Sequence, residues 1–121
     1  DQAIALLRDL RKRSRSVETL SALGQALGNK GLLLLAQGKR REAATVFDGA
    51  VAECRDVRRR APLNADYRHL LAAALTSQGI GRYHAGRPAD AEAPLQEALE
   101  LLDPLVEGHP AQKLYRQAQA Q

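Results

Sequence analysis

One stretch of this chain occurs twice, and that constrains the fold more than any other feature. Gly31 to Val51, GLLLLAQGKRREAATVFDGAV, returns 48 residues on as Gly79 to Leu99, GIGRYHAGRPADAEAPLQEAL. Gly31 pairs with Gly79, Gly38 with Gly86, Ala43 with Ala91 and Ala50 with Ala98. Leu27/Leu75, Leu32/Ile80, Glu42/Asp90, Phe47/Leu95 and Val51/Leu99 match in character. Small residues recurring at helical-turn spacing, at a fixed period, predict closely packed helices in a repeated unit. The composition agrees: aromatic residues make up only 3% of the 121, and there is no Trp or Met. Such a chain packs through small and aliphatic contacts rather than around a bulky core.

Taken in order, the chain predicts helices throughout and no strands. Asp1 to Arg13 carries Ala3, Ile4, Leu7 and Leu10 on one stripe. It aligns with Ala50 to Val57 through Ala3/Ala50, Ile4/Val51, Ala5/Ala52, Arg8/Arg55 and Asp9/Asp56. The expectation is that the chain opens in the second helix of a repeat whose first helix lies upstream. Ser14 to Ser16 is a polar break with candidate N-caps. Val17 to Gln37 is an amphipathic helix with Leu20, Leu23, Gly24, Leu27, Gly31 and Leu34 at three-and-four spacing. Gly38 stops it, as a glycine past the last helical residue does.

The next helix spans Arg40 to Arg60, with a face of Ala43, Val46, Phe47, Ala50, Val51, Cys54 and Val57. Its last residues, Arg58, Arg59 and Arg60, suit the negative end of the helix dipole. Ala61 to Asn64 is a break, with Asn64 or Asp66 as the following cap. A helix over Ala65 to Ala85 follows, with Leu70, Leu71, Ala74, Leu75, Gly79 and Tyr83 as expected contacts. Gly86 repeats the stop, and Pro88 suits the first turn of a fourth helix. That helix would bury Ala91, Leu95, Ala98, Leu99, Leu102 and Val106. Pro94 and Pro104 fall inside it, so a kink is expected near one or both. Gly108 to Pro110 repeats the break, and Ala111 to Gln121 would begin a final helix.

The helix–Gly turn–helix unit built on Leu27, Gly31, Leu34, Gly38, Ala43, Phe47 and Ala50 resembles the tetratricopeptide repeat. The second copy carries Leu75, Gly79, Gly86, Ala91, Leu95 and Ala98. The period exceeds the minimal 34-residue unit, which resembles long-helix variants such as those of kinesin light chains and bacterial regulatory arrays. The resemblance implies an all-α, right-handed superhelical solenoid of antiparallel helix hairpins. Residues 1–13 would be the second helix of a truncated repeat, 17–60 and 65–108 full repeats, and 111–121 the start of a further helix. In packing terms, Gly31 and Ala43 let the hairpin helices approach, and Ala50 admits the next first helix. Lys30, Gln78 and Arg82 depart from the family's apolar pattern, which raises the question of how the first helices pack there.

The same resemblance implies a protein–protein interaction scaffold whose inner surface is lined by the first helix of each repeat. At about 100° per residue, the face turned away from Gly31 carries Gln25, Asn29, Leu32 and Ala36. In the second copy it carries Ala73, Ser77, Ile80 and His84. This mixed polar and apolar strip suits an extended peptide or a helix. It offers Asn29 but no Lys or Arg, which argues against the carboxylate clamp by which some tetratricopeptide domains hold chaperone tails. The alternative function is a regulatory or sensor module of a larger enzyme or transcriptional regulator.

A weaker alternative is nucleic-acid binding along a basic edge. The chain has a net charge of +4 and a pI near 9.6. Arg11, Lys12 and Arg13 align with Arg58, Arg59 and Arg60 at the ends of equivalent helices. No aromatic stacking platform adjoins them, and helix-end charge explains them more simply. Catalysis has little support. His69, His84 and His109 are dispersed, and no HExxH, CxxC or phosphate-binding glycine loop is present. No cofactor, metal or catalytic residue is expected. The single Cys54 falls on an apolar helix face, and such a thiol behaves as a small hydrophobe. Without disulfides the expected setting is reducing and cytoplasmic, and no apolar stretch approaches the ~20 residues that a membrane helix needs.

Overall fold

The computed structural model describes residues 1–13 and 16–103, with every side chain among them except those of Lys12 and Arg13. Five α-helices lie among these residues: α1 (Gln2–Arg13), α2 (Val17–Ala36), α3 (Arg40–Arg60), α4 (Ala65–His84) and α5 (Glu92–Leu102). A 3₁₀ turn, Pro88–Ala91, leads into α5, and no strand occurs among the described residues. The expectations for Pro104, Val106, the break at Gly108 to Pro110 and the final helix lie outside this range.

Local chemistry sets the helix ends. The Ser16 hydroxyl accepts from the Thr19 amide at 3.2 Å, and the Asn64 side chain accepts from the Tyr67 amide at 3.1 Å. Each satisfies a donor that the first turn leaves open. The two glycine stops are built alike. At Gly38 (φ 78°) the Gly38 amide donates to Leu35 O at 3.0 Å and the Lys39 amide to Leu34 O at 2.9 Å. At Gly86 (φ 82°) the Gly86 amide donates to Tyr83 O at 3.1 Å and the Arg87 amide to Arg82 O at 2.9 Å. Both are Schellman closures, which require the left-handed backbone that glycine adopts freely.

These short turns fold α2 against α3, and α4 against α5, as antiparallel hairpins. The packing runs through small residues. A Cβ on Gly31 would collide with the Phe47 ring, and one on Gly79 would stand 2.5 Å from Leu95. Equivalent places in the two hairpins thus make equivalent contacts. Phe47, with no exposed surface, is also covered from the next hairpin, where a Cβ on Gly81 of α4 would stand 2.6 Å from its ring. Val51 and Cys54 of α3 pack with Leu71, Ala72 and Leu75 of α4 and Ala98 of α5. On the other side Ile4 of α1 packs with Leu23, Leu27 and Ala50.

Gln78 and Arg82, the two polar departures on α4, have a partner waiting on α3. Gln78 Nε2 donates to Asp48 Oδ1 at 2.9 Å, and an Arg82 guanidinium nitrogen reaches the same oxygen at 3.3 Å. A buried amide held this way loses little on leaving water. The expected kink at Pro94 is absent. The helix starts later than the sequence pattern implied, with a 3₁₀ turn from Pro88 and α geometry only from Glu92. Pro94 therefore falls in the first turn, where its missing N–H breaks no bond within α5 itself. α5 then ends at Leu102, with Asp103 extended at ψ 118°.

Three expected contacts are corrected. Tyr83 is 63% exposed, Leu99 64% and Leu102 52%. Each lies on the side of α4 or α5 that no described helix covers. Likewise Ala3 and Leu10 of α1 are exposed, while Ile4 of the same stripe is buried beneath α2.

Candidate interaction groove

Helices α2 and α4 are equivalent members of successive hairpins, and they lie close enough to enclose a groove of about 320 Å³. From α2 it takes Gly24, Gln25, Gly28, Asn29 and Leu32; from α4 it takes Leu70, Ala73, Ala74 and Ser77. Cys54 of α3 forms the floor beneath Gly24, whose added Cβ would stand 2.7 Å from the thiol. Of the eight residues expected on the inner strip, Gln25, Asn29, Leu32, Ala73 and Ser77 line this groove. Ala36, Ile80 and His84 are exposed further along the same helices and do not line it.

The lining is chemically uniform in one respect: it carries no charged side chain. Two side-chain amides and a hydroxyl supply donors and acceptors, and Leu32, 54% exposed, supplies apolar area. Gly28 was not singled out from the sequence, and it separates from the other helix glycines here. A Cβ on Gly28 meets nothing within 4 Å, whereas one on Gly24, Gly31, Gly79 or Gly81 runs into a neighbour. The fold itself has no steric need for glycine at that position. An interior helix glycine costs about 1 kcal/mol relative to alanine. Its signal in sequence was available: it is the one glycine of α2 off the Gly24–Leu27–Gly31 stripe.

The basic edge is engaged internally. Arg11 pairs with Glu53 at 3.0 Å, Arg58 donates to Pro62 O at 2.5 Å, and Asp56 receives Arg59 at 3.3 Å and Arg60 at 3.4 Å. The side chains of Lys12 and Arg13 lie outside the described set. A phosphate approaching this edge would compete with carboxylates already in place. Nearby, Arg55 forks onto both oxygens of Glu97, at 2.5 and 2.7 Å, tying α3 to α5. The hydrogen bond from Arg55 holds the Glu97 carboxyl below its ordinary range, and the Glu97 bond raises Arg55.

The described histidines are apart. His69 and His84 are both exposed, and His84 meets Tyr83 edge-on with ring centroids 5.6 Å apart. No three His, Cys, Asp or Glu side chains among the described residues are grouped to hold a metal ion. Burial, and secondarily the Glu53 charge, push the Cys54 thiol up to about 11. It is therefore protonated at neutral pH and a poor nucleophile. Among the described residues no helix is long and apolar enough to cross a membrane. In comparisons with known proteins, no family model, no curated protein and no solved structure matches the chain.

Proposed function

We propose that the chain is a segment of a tetratricopeptide-type solenoid that works as a non-catalytic protein–protein interaction scaffold in the cytoplasm. The α2/α4 groove takes an extended or helical peptide of a partner protein. The observation that carries this reading is the groove itself: it is open, uncharged, and framed by the same faces of two repeated helices. Gln25, Asn29 and Ser77 can bond a peptide backbone, while Leu32 and Ala73 contact its apolar side chains. Gly28 supports the reading, since it leaves space that nothing within the chain fills.

Selection from a displayed random-peptide library on the immobilised chain tests this. Enriched peptides should lose about tenfold or more in affinity, some 1.4 kcal/mol, on Leu32→Asp, with the helix signal unchanged. Peptides bound equally well by wild type and by a Leu32→Asp, Ala73→Asp double variant would remove the groove from the account.

A further inference from the structure

The glycine turns that close the two hairpins share a backbone but not a charge. Lys39, Arg40 and Arg41 follow Gly38, whereas Arg87, Pro88 and Ala89 follow Gly86, 48 residues on. In the second turn the one cation is engaged internally, since Arg87 pairs with Asp90 at 3.0 Å. In the first turn all three cations are exposed, and none forms an ion pair or a side-chain hydrogen bond among the described residues. Glu42, in the place of Asp90, is exposed and pairs with none of them. Elsewhere on α3, Arg55, Arg58, Arg59 and Arg60 are each held by a carboxylate or a carbonyl. Lys39, Arg40 and Arg41 also stand at the positive end of the α3 dipole, where cations are unfavourable. Gly86 closes the same turn without them, so turn closure does not require them.

The α2/α4 groove leads toward this turn. On α2 its lining ends at Leu32, and the helix continues through Ala36 to the Gly38 stop. From Leu32 to Lys39 is about 10 Å at 1.5 Å per helical residue, a distance that about three residues of an extended peptide span. We infer that the peptide taken by the groove is of one kind: an uncharged stretch continued by a short run of Asp or Glu, which meets Lys39, Arg40 and Arg41. The inference rests on the groove reading above and gives it a direction along α2. An acidic protein segment fits better than nucleic acid. The groove offers no charge for a phosphate backbone to follow, and Ala36 to Glu42 carries no aromatic side chain on which a base would stack. The turn lies at the end of the hairpins opposite to Asp103, after which no residue is described.

The test uses the full 121-residue chain and a displayed library with a random core of uncharged residues, flanked at both ends by Asp-Asp-Glu, Gly-Ser-Gly or Lys-Arg-Lys. Selected cores are synthesised with each flank and titrated calorimetrically. The acidic flank should bind about five- to tenfold more tightly than the neutral one at about 0.1 M salt, and should lose that advantage at about 1 M. Arg40→Pro with Arg41→Ala, the residues of the second turn, should erase the advantage while the neutral-flank affinity and the helix signal stay put; Lys39→Gln with Arg41→Gln takes its place if that variant unfolds. Leu32→Asn, which adds no charge, should weaken all flanks alike. Cores that bind equally with acidic and neutral flanks, and are lost on Leu32→Asn, would overturn the acidic extension and leave the groove in place. Acid-dependent binding indifferent to Leu32→Asn would overturn the groove reading and with it this path along α2. No binding with any flank would overturn both. Tighter binding of a single-stranded oligonucleotide than of any acidic-flanked peptide, lost in the turn variant, would assign the turn to phosphate and overturn the inference as well.

Discussion

Gly28 and Gly31 sit one turn apart on α2 and should respond to the same substitution with opposite signs. Gly31→Ala drives a methyl into the Phe47 ring, and overpacking of this kind costs about 1–3 kcal/mol. Gly28→Ala meets open space and should stabilise by about 1 kcal/mol through helix propensity. Urea denaturation of the two variants checks both, and a destabilising Gly28→Ala would mean that the groove is not free. The Gly31 contact was legible in sequence because Gly31 and Phe47 recur as Gly79 and Leu95. Gly81 was not legible. Its counterpart in the first copy is Leu33, which is 58% exposed, and its contact crosses from one hairpin to the next.

At the level of elements, α5 shows how two apparent misfits resolve each other. Pro94 has no N–H, so Asp90 O, four residues earlier, cannot receive the bond that an α-helical residue would send it. Arg82 of α4 fills that vacancy, donating to Asp90 O at 3.1 Å. In the first copy the corresponding residues are Val46 and Leu34, which have an ordinary amide and an apolar side chain. The pair differs together between copies. Arg82→Leu should therefore destabilise the chain, and less so in a Pro94→Ala background. A double-mutant cycle should return a coupling of about 0.5–1.5 kcal/mol, and additive effects would contradict the pairing. Helix limits for α2, α3 and α4 were readable to within a residue because caps and glycine stops mark them. The start of α5 was not, since Pro88 suits an α first turn and a 3₁₀ turn equally well.

At the scale of the molecule, the two hairpins are joined by apolar contact, by Asp48 with Gln78 and Arg82, and by the Arg55–Glu97 fork. Glu97 titrates below its ordinary range in the fold. Its contribution is thus fully present above the unfolded carboxylate range and disappears as pH falls through the lowered folded value. With both side chains partly exposed, at 46% and 36%, about 0.5 kcal/mol is at stake. Glu97→Gln should leave a shallower loss of stability on acidification, measured as urea midpoints across pH 3 to 7. The helical architecture was legible because periodicity and capping are written locally. The groove's membership was only partly legible. Ile80 and His84 share the helix face of Ser77, but which part of that face approaches α2 depends on the crossing of the two helices.

The Phe47 ring, held between Gly31 and Gly81, has a consequence for cooperativity. One side chain is shared by both hairpins, so neither can open without exposing it. Stacked repeats behave as linked units whose joint melting depends on their interfaces. Phe47→Ala should cost about 3–5 kcal/mol and should also decouple the units. The denaturation curve should broaden, with a lower apparent m-value, and hydrogen exchange should report different opening free energies for α2/α3 and α4/α5. A uniform shift at constant m would place the linkage elsewhere, in the Arg55–Glu97 fork or the Asp48 cluster. If the ring is the link, then a ligand seated between α2 and α4 braces the same two units from the opposite side. Binding would then be read out as a sharper unfolding transition as well as a later one.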